Sequence, residues 1–181
     1  MEIHGSTFVL RPWCADDAES LIWYANHPQI AANMGDPFPH PYTEKDAEIW
    51  LKARVQDKEP FEHFAIDVDG AAVGGIGVIT RQGPLRIAAA IGYWLGEPFW
   101  GKGIASEALA LMTDYAFETF RLLRLEARVF PWNAASARVL KKAGYRFDVR
   151  LRNAELHRGQ PVDVLLYSQV RRPADGRPRQ D

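Results

Sequence analysis

From Phe61 to Leu95 the chain runs three strand-like segments in succession, and this constrains the fold more than any other feature. Phe61 to Val68 alternates in hydropathy, and Asp69-Gly70 is a strong two-residue hairpin signal. Ala72 to Thr80 is the return strand, where Gly74, Gly75 and Gly77 point to a bulge. After a turn at Gln82-Gly83-Pro84, Ile87 to Leu95 is apolar almost throughout and reads as a strand buried on both faces. The period then becomes helical from Ile104 to Phe120, with Ile104, Ala108, Leu111, Met112, Tyr115 and Ala116 on one stripe. Leu125 to Phe130 is a strand ended by Pro131. Asn133 caps a helix that runs to Lys142, and Gly144 stops it. Tyr145 to Arg150 and Pro161 to Val170 are the last strands, joined by a polar turn around His157-Arg158-Gly159. Hairpins followed by strand–helix–strand units require a mixed sheet with helices on its faces, an α/β (α+β) architecture.

The N-terminal part supplies one strand and two helices. Ser6 to Trp13 reads as a strand ended by Pro12, and Asp16 and Asp17 open a helix through about Asn26. Pro28 blocks its clean continuation. Met34 to Tyr42, with Gly35, Pro37, Pro39 and Pro41, is a loop that displays His40 and Tyr42. Thr43 and Asp46 start the next helix, which carries Trp50 and Leu51.

At 181 residues the chain is one domain's length, enough to bury a full core unaided. We place the domain at 1–172 and expect 173–181, rich in Arg, Pro, Asp and Gly, to be a frayed, flexible tail. Twenty-two Lys and Arg against 23 Asp and Glu give a net charge of -1, which argues against a nucleic-acid-binding surface. Cys14 is the single cysteine, so there is no internal disulfide and no multi-cysteine zinc site, and a free thiol fits a reducing cytoplasm. The histidines lack ligand-like spacing, so no metal is expected. No apolar run is long enough to span a bilayer and no signal peptide is visible, so we expect a cytoplasmic protein without membrane contact.

The segment Tyr93-Trp94-Leu95-Gly96-Glu97-Pro98-Phe99-Trp100-Gly101-Lys102-Gly103-Ile104-Ala105 carries the chemistry. A strand passes through a turn into two glycines and then a long helix. Free N–H groups at the helix start, reinforced by the helix dipole and by Lys102, suit a phosphate. The spacing is not that of a P-loop, and Ser106 stands where a dinucleotide fingerprint needs its third glycine. Taken alone, the two glycines also fit a simple tight turn.

The run Trp100-Gly101-Lys102-Gly103-Ile104-Ala105 resembles the Q/R-x-x-G-x-G/A pyrophosphate loop of the GNAT acetyltransferase superfamily, with Trp100 where Gln or Arg is common. The strings Ile91–Leu95, Ala105–Ala108 and Asn133–Tyr145, together with Leu10-Arg11-Pro12, are similar to its RimJ/RimL-type branch. The similarity runs from about Ser6 to Val170. It implies a single domain with a central mixed, twisted sheet of six to seven strands with a V-shaped splay, flanked by about four helices. It further implies acetyl-CoA as co-substrate, lying between Ile87–Leu95 and Leu125–Phe130. The backbone of Tyr93, Trp94 and Leu95 would pair with pantetheine as an added strand. The N–H groups from Trp100 through Gly101, Lys102, Gly103 and Ile104 to Ala105 would hold the pyrophosphate. Asn133 would reach the pantetheine, as well as capping its helix. Arg138 and Lys142 either approach the nucleotide or form a solvated helix face.

The implied reaction is direct acetyl transfer to a primary amine. Such a reaction needs a proton acceptor for the ammonium, a donor for the developing oxyanion and an acid for the departing thiolate. The Leu95 backbone N–H is the oxyanion contact that the resemblance implies. Many members carry a Tyr where this chain has Leu140, and Ser136 becomes the candidate acid. A carboxylate is frequent where this chain has Ala90, so the base is open: Glu97, His40, Glu62 and His63 are substitutes. Glu62 and His63 face opposite sides of a strand. Water-mediated proton loss is the default. Glu107 reads as a structural complement to the helix dipole. The acceptor, a protein N-terminal α-amine or a small-molecule amine, would be met by His40 and Tyr42, with Trp23, Tyr24 and Trp50 nearby. A monomer or homodimer is expected. The empty Leu140 and Ala90 positions leave a second reading, a non-catalytic acyl-CoA-binding sensor.

Overall fold

The computed structural model describes residues 1–36 and 38–171. The segment expected to fray, 173–181, lies outside them. In chain order the elements are β1 (Ile3–His4), β2 (Val9–Arg11), α1 (Ala18–Ala25), α2 (Pro28–Ala31), α3 (Glu44–Arg54), β3 (His63–Val68), β4 (Ala71–Thr80), β5 (Ala88–Leu95), α4 (Ile104–Thr119), β6 (Arg124–Val129), α5 (Ala134–Lys142), β7 (Arg146–His157) and β8 (Gln160–Val170). All the strands join one mixed sheet in the order β1-β2-β3-β4-β5-β6-β8-β7. Only β5 and β6 run parallel; every other neighbour pair is antiparallel.

The eighth strand and fifth helix, beyond the six to seven strands and four helices expected, are short pieces that pattern reading passes over. Ile3–His4 pairs with Val9–Leu10. The expected strand from Ser6 is therefore broken: Ser6 turns, and its N–H and hydroxyl donate to Glu107 at 2.7 and 2.6 Å. Glu107 is structural, as expected, and pins the N-terminal segment to the first turn of α4. Pro28 starts α2, because its missing N–H costs nothing in a first turn; the His27 side chain caps it. The helix expected from Asp16 opens as a 3-10 turn, Ala15–Asp17, before α1.

Asp69 and Gly70, both at positive φ, make the tight β3–β4 turn, and Arg158 and Gly159 make the corresponding β7–β8 turn. That second hairpin is longer than its sequence suggested, since β7 continues to His157. A bulge lies in the β3–β4 pair, where Val73 is the extra residue opposite Ile66 and Asp67.

Two cores flank the sheet. On one face Phe64, Ile76, Val78, Ile91 and Leu125 pack under Leu109, Met112 and Phe117 of α4 and Leu140 of α5. The stripe of α4 thus turns slightly from the expected one, leaving Leu111 and Tyr115 at the margin. On the other face Ala65 and Ala72 meet Trp13, Leu21, Ala25, Tyr42, Ala47 and Leu51, supplied largely by α1, α3 and their approaches. The glycines of β4 let both faces pack closely, Gly74 against Ile66 and Leu95 of the first core and Gly75 against Trp13 of the second. A Cβ on Gly74 would stand 2.6 Å from the Trp94 carbonyl oxygen, and one on Gly75 2.7 Å from the Trp94 indole nitrogen. Gly74→Ala should destabilise the protein by about 1–3 kcal/mol, because a backbone atom must give way; a denaturant melt within ~0.5 kcal/mol of wild type would contradict that packing.

A buried ion cluster fixes the entry to α1. Arg11 on β2 donates to Asp67 on β3 at 2.7 Å and to both Asp17 carboxylate oxygens at 2.6 and 2.9 Å. Cys14 N–H completes the Asp17 shell at 2.8 Å. Burial pushes the Asp17 carboxyl up, but the Arg11 and Cys14 hydrogen bonds and the Arg11 charge hold it below its ordinary value. The stabilisation is therefore present above the unfolded carboxylate range and is lost as pH falls through the lower folded value. Arg11→Ala should cost about 3–5 kcal/mol at pH 7 by leaving Asp17 buried and unpaired. Its deficit against wild type in urea melts should shrink as pH falls, because Asp17 of the variant, buried without its cation, takes up a proton more readily; a pH-independent deficit would refute this account.

Candidate active site

The site begins where a ladder stops. β5 and β6 pair only at Ala88, Ala89 and Ala90, against Arg124, Leu125 and Glu126. Beyond Ala90, β5 stays with β4 through Leu95, while β6 stays with β8 through Val129. The parallel strands splay apart into a V, and the expectation that β5 is buried on both faces fails there. Gly92 is exposed, and Tyr93 and Trp94 are half-buried. The V opens into a cavity of about 510 Å³, within the usual range for small-molecule sites.

Register determines what β5 presents to it. Gly96 N–H donates to Val73 at 2.8 Å, and Val73 and Gly96 continue the β4–β5 register. In an antiparallel ladder bonding pairs alternate, so Gly92 and Trp94 bond toward β4, and the N–H and C=O of Tyr93 and Leu95 turn toward the V. The Leu95 carbonyl is taken, accepting the Trp100 indole N–H at 2.6 Å. The Leu95 N–H is left facing the wedge.

The loop after β5 meets the expectation in part. Gly101 and Gly103 sit at φ +75° and +86°, a region that L side chains rarely adopt, and nothing lies within 4 Å of a Cβ built on either. Gly103 is the N-cap of α4, and its carbonyl receives the Ser106 and Glu107 N–H groups. The N–H groups of residues 101–105 make no backbone hydrogen bond among the described residues, which suits an anion at the helix start. Trp100 is the correction: its N–H is spent on Glu97 at 3.0 Å within the preceding turn. Its indole lines the cavity while bracing Leu95. Lys102 does not line the cavity; its ammonium lies 5.4 Å from the Phe99 ring centre. Gly101, Gly103, Ile104 and Ala105 do line it, and so do Arg138 and Lys142, which favours the nucleotide-facing alternative for that pair.

Across the V, the Asn133 side chain accepts the Ser136 N–H at 3.0 Å, so it caps α5 while lining the cavity. Ser136 Oγ lies 2.8 Å from the Tyr93 hydroxyl, and both residues line the cavity. Burial pushes the Tyr93 hydroxyl up to about 12, partly offset by its bond to Ser136. It is therefore a protonated donor at neutral pH. The Tyr93 proton has two acceptors, Ser136 Oγ and the Ser136 carbonyl oxygen at 3.3 Å; when it goes to Oγ, the Ser136 proton is free to point into the wedge. Leu140, where many relatives carry a Tyr, is fully buried. Tyr93 had been read only for its backbone, and nothing in the sequence alone pairs it with Ser136, 43 residues away.

None of the four substitute bases lines the cavity. Glu62 is bonded to Thr80. His63 Nδ1 lies 2.6 Å from an Arg54 nitrogen, which can only donate, so the imidazole carries its proton on Nε2. Burial foremost, then the Arg54 charge, push His63 down, so it is neutral near pH 7 yet offers no free acceptor nitrogen. Glu97 faces His27 at 3.3 Å, and His40 is exposed. Tyr42, expected at the acceptor, is buried in the second core against Phe38, 5.4 Å between rings, and neither it nor His40 lines the cavity. Trp23 is exposed, Trp50 packs on Trp13, and Tyr24 packs on Phe99. The cavity is lined also by Gln29, Ile30, Asn33, Met34 and Gly35 in and after α2, and by Arg128 of β6, which is ion-paired with Glu155 of β7. The alternation Arg124-x-Glu126-x-Arg128 was the available sequence signal for a charged face on β6.

Comparison with known proteins accords with this geometry. Residues 7–146 match the acetyltransferase (GNAT) domain family. An uncharacterized N-acetyltransferase, p20, of Bacillus licheniformis is 40% identical over 180 residues, covering 96% of this chain and 98% of the relative. The L-amino acid N-acetyltransferase AaaT of Escherichia coli is 25% identical over 167 residues, covering 92% and 99%. Among solved structures, Mycobacterium smegmatis RimJ in complex with CoA-disulfide superposes with a TM-score of 0.79 at 27% identity, covering 95% of this chain and 84% of that one. A glycine loop at a helix start, a splayed parallel pair and a family match over most of the length agree, and the chain belongs to the GNAT acetyltransferase family.

Proposed function

We propose that this protein moves an acetyl group from acetyl-CoA directly to a primary amine, with the thioester seated in the V between β5 and β6. As a member of its family the chain is an acyltransferase with acetyl-CoA as co-substrate. The observation that supports the proposed seating best is the ladder that ends at Ala90 and Glu126. It turns the Tyr93 and Leu95 backbone groups toward the cavity that the glycine loop adjoins. An extended pantetheine arm with two amides satisfies such an edge as an added strand would.

In this reading Leu95 N–H stabilises the oxyanion as the amine attacks the carbonyl carbon, and the Trp100 indole keeps the peptide after Leu95 from turning. The Ser136 hydroxyl, held by Tyr93, gives its proton to the departing sulfur. None of the four substitute bases lines the cavity, so in this reading the ammonium proton leaves through water. The acceptor is an amine, either a small molecule or a protein N-terminus. A cytoplasmic monomer or homodimer fits with it, and no helix among the described residues is long and apolar enough to cross a membrane.

Thermal unfolding with and without acetyl-CoA tests the cofactor assignment. Ligand at 100 times its dissociation constant adds about 2.7 kcal/mol of stability, a clear rise in Tm. Gly103→Val should abolish the rise, because a branched residue at φ +86° strains the loop and projects into the anion site. A folded Gly103→Val protein that still binds acetyl-CoA tightly would sink the assignment. Ser136→Ala should keep the acetyl-CoA shift and lower kcat about 100- to 10,000-fold, the range of one positioned proton donor. Unchanged thiol release from that variant, in an assay over a panel of amines, would exclude Ser136 as the acid.

A further inference from the structure

Packing explains three of the four glycines in the β4–β5 pair and leaves one over. A Cβ on Gly74 or Gly75 would collide with Trp94, and one on Gly77 would stand 2.6 Å from Cδ2 of His63. At Gly92 nothing lies within 4 Å of such a Cβ, and its φ lies outside the left-handed region. A bare glycine inside a strand weakens it, and close approach of a ligand is a physical reason to keep one.

Gly92 lines the cavity. On β5 it lies between Ile91 and Tyr93, which pack toward the first core, so it belongs to the opposite face of the sheet. Counting on from the last rung, Ala90 opposite Glu126, Gly92 stands across the V from Arg128. Arg128 lies between Ala127 and Val129 of the first core, so it too is on the face away from α4 and α5.

Among the described residues, three cationic side chains and no carboxylate line the cavity. Arg138 and Lys142 come from α5, on the side where the glycine loop would hold the phosphates. Arg128, on the other face, is left without an anion from the cofactor. Its Nε donates to Glu155, while its two terminal nitrogens have no hydrogen-bond partner among the described residues. Those two nitrogens form a fork that matches a carboxylate with two parallel bonds. Glu126, two residues earlier on the same face, does not compete for them, because Arg81 at 2.7 Å and Arg124 at 2.6 Å hold it.

We propose that Gly92 and Arg128 form a carboxylate seat in the V, filled by a carboxylate that one of the two reactants carries. Arg128 supplies the fork and Gly92 the room. Two sources offer the same chemistry. A dicarboxylic acyl group on CoA places the carboxylate at the far end of the acyl chain, and an amino acid places it beside the attacking amine. The inference rests on the proposed seating of the thioester between β5 and β6.

The test uses the full-length protein and pairs of reactants matched except for the charge. In the donor arm, calorimetry compares the dissociation constants of succinyl-CoA and butyryl-CoA. In the acceptor arm, thiol release from acetyl-CoA compares kcat/KM for a panel of α- and ω-amino acids with their amides. In one of the arms the carboxylate should win by about 10- to 100-fold, the range of a hydrogen bond to a charged group, and the arm that responds identifies the source. Arg128→Gln should remove the advantage and keep the acetyl-CoA thermal shift. Gly92→Val should do the same by filling the seat, and it should fold, because its Cβ meets open space and a β-branched residue suits a strand. Each advantage is compared between wild type and variant, so differences in amine basicity cancel. No advantage in either arm, or one that survives both substitutions, overturns the inference and leaves the cofactor assignment intact. Absence of any acetyl-CoA thermal shift overturns both.

Discussion

Everything distinctive about this molecule depends on three rungs of parallel ladder. A sheet gains most from pairing its strands along their full length, and β5 and β6 pair only from Ala88 to Ala90. Each strand continues with its other neighbour, so the unpaired length is neither frayed nor free to close. The backbone groups of Tyr93 and Leu95 are thus held beside a cavity at fixed spacing without secondary-structure partners on that side. Sites of this kind are expensive in stability, and the surrounding elements offset the cost: two cores, the Arg11–Asp17–Asp67 cluster and the brace from Trp100.

The catalytic layout follows from the same divergence. Ser136 and Tyr93 come from elements on opposite sides of the V, and their hydroxyl bond bridges it. A hydroxyl pair across a gap is oriented by both walls, so each hydroxyl is held in a fixed place. The charged groups of β6 are arranged differently. Arg124 and Arg81 hold Glu126, directly alongside Ala90, and keep its carboxylate below its ordinary range despite the opposing effect of burial. Glu126 therefore stays ionised and ion-paired close to the site without serving as a free base.

Much of this was legible before any coordinates. The hairpin at Asp69-Gly70, the strand–loop–helix around Gly101 and Gly103, and the Asn133 cap are local signals, each set by a few adjacent residues, and each falls where the pattern put it. What escaped depends on distance in sequence. The 43 residues between Tyr93 and Ser136, and the 122 between Asp36 and Arg158, carry no periodic signature. Tyr42 misled for a related reason: a proline-rich loop predicts exposure of its backbone, but the second core had room for the ring and took it. Trp100 N–H was misassigned because a 3-10 turn at Glu97–Phe99 consumes one donor that helix counting leaves free.

The short seam between β5 and β6 has a mechanical consequence. Strands β1 to β5 form one antiparallel group and β6, β8 and β7 another, and between them the sheet is continuous only at its narrowest seam. The molecule is in effect two leaves bound along a short spine, with α4 laid over one side of the binding. Three rungs leave the angle between the leaves to side-chain packing on α4 as well as to sheet hydrogen bonds. Small changes in those packing residues, far from any reacting atom, would therefore open or narrow the gap along its whole length at once.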